Sequence, residues 1–338
     1  MTLQERIAAF VGLGERIDQL SNAEFEALVF RVENNNSWFT PDQVKLALQG
    51  LVNMLDEKKM KSWIGAYDLS EVKSPKSIGV LMAGNIPAVG FHDLMMVLIA
   101  GHMACVKLSS ADQVLIKWLV GELESISPAF KGRVVFEEML KAKDAYIATG
   151  SDNSARYFNY YFGKYPSVIR KNRTSVAVLD GKETPDDYRE LAKDIFQYYG
   201  LGCRNVSKVF VKDASQLQDF LTAIEGYNFV VSHHKYLNNY DYNKSIYLVN
   251  GDQHLDNGFL LCKQSDELVS PVAVLYYETY EGVDALKDRL AAQAEKIQCV
   301  VSKGAWYPES VPFGKAQQPE ISDYADHVDT MAFLQGLG

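Results

Sequence analysis

Cysteine is scarce in this sequence. Four residues in 338, Cys105, Cys203, Cys262 and Cys299, are too few and too scattered for a disulfide framework. No CxxC pair is present to suggest zinc, so no metal site is expected, and the thiols fit a reducing, cytoplasmic setting. Long hydrophobic runs are missing as well. The longest, residues 94–106, is interrupted by Gly101-His102 and is too short to span a bilayer, so no integral membrane segment is expected. The first residues, Met1 to Arg6, lack the basic start and apolar run of a secretory signal. Positive charge is outweighed: Lys plus Arg is 34 against 43 for Asp plus Glu, a net charge of -9. That balance disfavours general binding to nucleic acid or to anionic membranes. There is no internal repeat and no low-complexity segment. What is present is 47% hydrophobic and 23% charged, which excludes disorder as the dominant state. The length accommodates two domains or one large one, each with a sizeable core.

Residues 1 to about 65 read as helices. Ser21-Asn22-Ala23-Glu24 has the capping-box pattern, and Thr40-Pro41-Asp42-Gln43 repeats it with Pro at the first helical position. Val44, Leu48, Leu51, Val52 and Leu55 then mark one apolar face. Gly12 and Gly14 follow no strand, so they are not a dinucleotide fingerprint and read as a break between helical turns. From residue 77 the pattern alternates. Strands are expected at 78–82, 104–108, 134–136 and 145–148, with helices at 88–100 and 111–125. A second alternating region has strands at 176–179, 209–211, 246–249, 272–276 and 299–301. Its helices fall at 185–199 and 215–224, and a last helix is expected within 323–336. Strands alternating with helices imply parallel sheets with helices on their faces, and ligands at the carboxyl ends of strands. The loops at 84–87, 107–110 and 149–151 are therefore the ones to examine.

Cys203 lies in Gly200-Leu201-Gly202-Cys203-Arg204-Asn205, between a helix and a strand. Glycines there let backbone approach a ligand, and Arg204 favours the thiolate, the reactive form of cysteine. The competing reading is a small buried hydrophobe in a tight turn. Core packing is the better account of Cys105, Cys262 and Cys299. Thr149-Gly150-Ser151 follows a strand and opens a helix, where free amides and the positive helix end suit a phosphate, although many such turns carry ordinary N-caps. His233 and His234 are adjacent and face different ways, so a shared metal is not expected. The aromatic run Tyr157-Phe158-Asn159-Tyr160-Tyr161-Phe162 reads as a core-facing helix, and Arg170-Lys171-Asn172-Arg173 as a solvated charge run.

These signals fall in one order: Gly84-Asn85-Ile86-Pro87, Ala100-Gly101-His102, Val106-Lys107-Leu108-Ser109-Ser110, Ala148-Thr149-Gly150-Ser151, Gly202-Cys203, Glu267-Leu268-Val269-Ser270-Pro271-Val272 and Pro312-Phe313-Gly314. The ordered set, spanning about residues 76 to 315, resembles the aldehyde dehydrogenase superfamily. More closely it resembles the LuxC-type acyl-CoA reductase family, whose best-known member makes fatty aldehyde for bacterial luminescence. The resemblance implies an α/β, aldehyde-dehydrogenase-like fold, with a Rossmann-type cofactor domain, an α/β catalytic domain and a helical N-terminal segment. The boundaries would fall at 1–75 for the helical segment, 76–174 joined by 315–338 for the cofactor domain, and 175–314 for the catalytic domain.

Carried over by position, Cys203 would be the nucleophile, with Asn85 and the Cys203 backbone N–H forming an oxyanion hole. Lys107 would hold the cofactor ribose on the adenosine side. Thr149, Gly150 and Ser151 would meet the pyrophosphate at the helix start, and Glu267 the nicotinamide ribose. Each role suits the chemistry of its side chain or amide. Two departures sharpen the expectation. Hydrolytic relatives carry a Glu general base in the segment matching residues 168–175, where this chain has no carboxylate; water is then poorly activated, which favours exchange with a thiol such as CoA. NAD-preferring relatives often carry Glu three residues after the lysine; here that position is Ser110, which does not repel a 2′-phosphate, so NADPH is expected over NADH.

The expected activity is NADPH-dependent reduction of a fatty acyl thioester, donated by acyl-CoA or an acylated protein, to the aldehyde through an acyl-Cys203 thioester. Three rivals remain: an NAD(P)-dependent aldehyde dehydrogenase releasing free acid, a non-redox acyltransferase or thioesterase, and a catalytically silent acyl- or nucleotide-binding relative. Superfamily members commonly associate through sheet elements, so a homodimer is compatible with the sequence.

Overall fold

A computed structural model of the chain describes residues 1–69, 74–150 and 152–338. The chain divides into two compact units, Met1–Asn172 with Glu320–Gly338, and Arg173–Pro319.

The first unit opens with α1 (Leu3–Asp18), α2 (Asn22–Asn35), α3 (Pro41–Met54) and α4 (Glu57–Ile64). Ser21 accepts from the Glu24 N–H and the Glu24 carboxylate accepts from the Ser21 N–H, a closed capping box. Thr40 makes no such side-chain bond; Pro41 at the helix start sets its geometry instead. The expected break at Gly12 and Gly14 is absent, because α1 runs through both. A Cβ on Gly14 would stand 2.9 Å from Leu55 Cβ, so this glycine serves close packing and not a turn. Phe10 stacks edge-on against Phe91 and Phe130, with centroids 6.2 and 5.7 Å away. The buried Arg6 donates from Nε to the Ile99 carbonyl at 2.8 Å. The helices thus share one hydrophobic core with the sheet that follows.

That sheet comprises β1 (Ser77–Leu81), β2 (Met103–Lys107), β3 (Val134–Phe136), β4 (Ala145–Thr149) and β5 (Ser167–Arg170), all parallel, in the order β3-β2-β1-β4-β5. Between them run α5 (Phe91–Ile99), α6 (Gln113–Ile126) and α7 (Asp152–Phe162). The order reverses between β1 and β4, the doubly wound arrangement in which a crevice opens outside the carboxyl ends of the strands. On α7 the aromatic run splits by helical phase. Phe162 stacks on Tyr146 at 4.2 Å, while Tyr157, Tyr160 and Tyr161 are exposed. Continuous aromatic composition had suggested one buried face; the 3.6-residue period leaves three of the five rings in solvent.

The second unit holds a seven-stranded sheet in the order β12-β11-β6-β7-β10-β9-β8. Its elements are β6 (Thr174–Val178), α8 (Pro185–Phe196), β7 (Val206–Val211), α9 (Gln216–Ala223), α10 (His234–Asn250), β8 (Leu255–Asp256), β9 (Leu261–Gln264), β10 (Val274–Thr279), α11 (Val283–Ala291), β11 (Ile297–Ser302) and β12 (Val311–Pro312). Only β8 pairs antiparallel. The strand expected at 246–249 is instead the last turn of α10. Tyr236, Tyr240, Asn243 and Tyr247 are buried at helical spacing, and Leu248 and Val249 point outward, so tyrosine periodicity overrides a short apolar run. The last helix, α12 (Thr330–Gln335), belongs to the first unit. No helix among the described residues is long and apolar enough to cross a membrane.

Candidate active site

Four thiols are present, and burial separates them. Burial pushes the Cys262 thiol up to about 12, and Cys105 is also raised by burial. A thiol held protonated is a poor nucleophile. Cys299 and Cys203 are half-buried. Cys203 is set apart by its loop. Tyr198, Tyr199 and Gly200 take consecutive positive φ values of 53°, 55° and 78°, a left-handed turn that costs of order 1–3 kcal/mol at each non-glycine residue. Two tyrosines therefore bear strain immediately ahead of Gly202-Cys203.

Asn205 holds that strained loop closed. Its Nδ2 donates to the carbonyl of Asp194 in the last turn of α8 and to that of the C-cap residue Gln197, at 2.9 and 2.8 Å, satisfying groups that the helix end leaves open. Its Oδ1 accepts from the Gly202 N–H at 2.7 Å. From behind, the buried Ser175 hydroxyl donates to the Cys203 carbonyl at 3.1 Å and lies 3.0 Å from Cys299 Sγ. The loop thus presents a half-buried thiol on a backbone fixed at both ends.

Glu267 is exposed on the segment between β9 and β10, where its N–H donates to Ser265 Oγ at 3.2 Å. Leu268 beside it is buried in the core of the second unit, which leaves Glu267 facing solvent.

In the first unit, register brings the other candidates to one edge. Leu81 pairs with Lys107 on one side and with Ala148 on the other, so the loops after β1, β2 and β4 leave the sheet level with one another. Asn85, Lys107 and Ser110 are exposed there, and Thr149 and Gly150 are half-buried. Lys107 makes no ion pair among the described residues. Gly84 lies so close to the next loop that a Cβ would stand 2.4 Å from Ser109 Oγ. Thr149 Oγ1 is 3.5 Å from the Arg170 guanidinium, and the Gly150 N–H donates to the Arg170 carbonyl at 3.3 Å. Ser151 lies outside the described residues.

A scan against protein families places residues 13–227 in one model, described as acyl-CoA reductase (LuxC). The chain belongs to the acyl-CoA reductase (LuxC) family. It is an oxidoreductase enzyme. Solved structures with the same fold include an NAD+ complex of an aldehyde dehydrogenase from Bacillus cereus, with a TM-score of 0.62, 12% identity and coverage of 89% of this chain and 72% of that one. An aldehyde dehydrogenase from Mycobacterium tuberculosis complexed with NAD+ gives a TM-score of 0.64 at 11% identity, over 94% of this chain and 76% of that one. A mutant aldehyde dehydrogenase C from Pseudomonas syringae, complexed with NAD+ and octanal, gives 0.63 at 10% identity, over 90% and 73%. At such identities the likeness shows an aldehyde-dehydrogenase-like fold, α/β with parallel sheets and a helical N-terminal region. Curated proteins contain no match to the chain.

Several residues that shape the chain's loops carry no mark in the sequence. Arg170 is no solvated charge. It is buried, its Nη1 pairs with Asp93 on α5 at 2.6 Å, and its Nη2 donates to Thr330 Oγ1 at 2.6 Å. Asp112 Oδ2 accepts from the Ala88 N–H at 2.7 Å, holding Ala88 at φ 60° in the loop that follows Asn85. Burial raises the Asp112 carboxyl well above its ordinary range, and its Oδ1 has no partner among the described residues. The Asn35 side chain on α2 donates to the Ser110 carbonyl at 3.0 Å, so the helical segment braces the loop after β2. Asn35 and Arg170 are distant in sequence from what they touch, and only the fold connects them. Asn205 is likewise unmarked: it precedes a strand and reaches back to carbonyls at the end of α8 that only the folded loop brings near. His233 caps α10, accepting from the Tyr236 N–H at 3.4 Å through Nδ1.

Proposed function

We propose that this chain reduces a fatty acyl thioester, donated by acyl-CoA, to the aldehyde with NADPH, through a thioester on Cys203. The observation that carries the reading is the Cys203 loop, a half-buried thiol on a strained, hydrogen-bonded backbone in a chain of the acyl-CoA reductase family. In this reading the Cys203 thiolate attacks the thioester carbonyl, and the C–S bond to CoA breaks as the tetrahedral intermediate collapses. Asn85 and the Cys203 N–H donate to the oxyanion as it forms. CoA departs as its thiolate and takes up a proton, leaving the acyl group on Cys203.

The exposed edge of the first sheet fits a dinucleotide by the chemistry of its donors. An ammonium at Lys107 and hydroxyls at Ser110 and Thr149 suit a ribose diol and phosphate oxygens. By the family resemblance, Glu267 would accept from the hydroxyls of the other ribose. NAD+ in the Bacillus cereus and Mycobacterium tuberculosis structures supports a nicotinamide cofactor. When bound, the reduced nicotinamide supplies the hydride that the acyl carbon requires. Cys203 then leaves as thiolate and the aldehyde is released. Ser110 in place of a carboxylate supports the 2′-phosphorylated form.

Release of free acid is the rival outcome. Residues 168–175 contain no carboxylate: Arg170 is buried against Asp93, and Ser175 is bonded to the Cys203 carbonyl. That segment offers no base to activate water, which supports thiol exchange. The test is oxidation of NADPH with medium- and long-chain acyl-CoA, comparing the wild type with Cys203→Ala. Consumption in the wild type alone is expected; equal rates would end the proposal.

A further inference from the structure

The sheet of the second unit contains an irregularity four residues beyond the candidate nucleophile. Ser175 pairs with Val206 and Val176 with Lys208, so Ser207 is an extra residue in β7. A bulge of this kind breaks the alternation that would send neighbouring side chains to opposite faces, and bulges recur where a side chain must be re-aimed. Both bulge residues reach the same segment. Ser207 Oγ donates to the Leu268 carbonyl at 2.6 Å, and Lys208 Nζ donates to the Ser265 carbonyl at 2.8 Å. These contacts bracket Glu267.

Lys208 is fully buried, a position a lysine occupies only when paired. Its ammonium also binds Glu278 Oε2 on β10 at 2.7 Å and lies 5.1 Å from the Phe210 ring centroid. Glu278 is shared with Arg289 of α11, which stands 3.9 Å from Asp266. A buried carbonyl contact, a hydroxyl contact and a charge chain therefore converge on residues 265–268 and leave the Glu267 side chain exposed. The ammonium is the partner of the Ser265 carbonyl, two residues before Glu267, and losing it would leave that carbonyl without this bond.

We infer that Ser207 and Lys208 are positioning residues that hold the Glu267 segment for its contact with the nicotinamide ribose, so that the strand following the nucleophile loop also supports the cofactor contact. The inference rests on the reading of Glu267 given under Proposed function. It separates the two half-reactions. Transfer of the acyl group to Cys203 needs no ribose contact, whereas hydride transfer does.

The test acylates the enzyme with acyl-CoA in the absence of cofactor, following CoA release, and then mixes the acyl-enzyme with NADPH in a single turnover. Ser207→Ala removes two hydrogen bonds, one to the Leu268 carbonyl and one with Thr174 Oγ1, and is expected to slow reduction about fivefold, with acylation within about twofold of wild type. Ser207→Thr keeps the hydroxyl and restores the rate. Lys208→Met is expected to slow reduction by about tenfold or more. Because breaking a buried pair can unfold the chain, it is read only beside its thermal melt and the Ser207 variants. Glu267→Gln is the reference. If Glu267→Gln slows reduction while Ser207→Ala does not, the positioning role is overturned and the Glu267 reading stands. If Glu267→Gln leaves reduction unchanged, the Glu267 reading falls and takes the inference with it. If Ser207→Ala slows acylation as much as reduction, the bulge serves the loop at large and the inference is likewise overturned.

Discussion

Lys107 and Ser110 stand exposed at the carboxyl edge of the first sheet, placed by strand register and by one amide from α2. Cys203 in the second unit is placed quite differently, by a left-handed turn, by the Asn205 amide and by a buried serine behind its carbonyl. Repeated βα crossovers deliver Lys107 and Ser110 to an edge through strand register, which suits the recognition of a flexible dinucleotide by several weak contacts. A nucleophile must sit within a fraction of an ångström of its target, and here it has a strained, cross-bonded loop. Changes at the edge should therefore grade the activity, and changes at the loop should abolish it.

That contrast can be broken most directly at the thiol. Cys203→Ala is expected to lower acyl-CoA reduction by at least about a thousandfold, measured as NADPH oxidation, with an unchanged thermal melt. The next effect is on stability. Arg170→Met strands Asp93 in the core of the first unit and should cost about 3–5 kcal/mol in denaturant unfolding. A result near zero would mean that the pair is solvated and that the turn after β4 is held by other contacts.

A pH dependence probes the second unit. Burial pushes the Asp194 carboxyl up to about 7, against the two backbone N–H groups of Gly314 and Ala316 that it accepts. The folded chain then binds this proton more tightly than the unfolded chain, whose carboxyl titrates near 4. The contribution is present below about pH 4 and is lost as pH rises through about 7. The melting temperature should fall over that window, and Asp194→Asn should flatten the fall.

At the edge the effects are smaller. Lys107→Ala is expected to raise the KM for NADPH about tenfold with little change in acylation of Cys203. Ser110→Glu should shift preference from NADPH toward NADH by about tenfold, through repulsion of the 2′-phosphate. An edge variant as damaging as Cys203→Ala would erase the distinction between the two regions.

The legible parts of the fold were those governed by period and punctuation. The alternating strands and helices from β1 to β4 follow from apolar runs separated by helical patterns, and the Ser21 capping box reads directly from its spacing. The misread parts had local signals overruled by distant partners. Gly14 looked like a break because nothing nearby shows that Leu55 packs against it. Residues 246–249 looked like a strand because four apolar residues outvoted a tyrosine period of greater length. Arg170 looked solvated because Asp93 and Thr330 are remote in sequence. The loops at 84–87, 107–110 and 149–151 were picked out as the carboxyl ends of expected strands, but what holds them was not legible. Asp112, Asn35, Ser175 and the bulge at Ser207 act across the fold, and single-chain patterning has no access to such pairings.

The central claim is that Cys203 carries the acyl group. Incubation of the protein with a long-chain acyl-CoA in the absence of NADPH, followed by peptide mass spectrometry, tests it without any assumption about the cofactor. The account predicts a thioester adduct on the peptide containing Cys203, loss of that adduct on adding NADPH, and no adduct in Cys203→Ala. An adduct on Cys299 instead, or an unmodified protein that still oxidises NADPH with acyl-CoA, would contradict it.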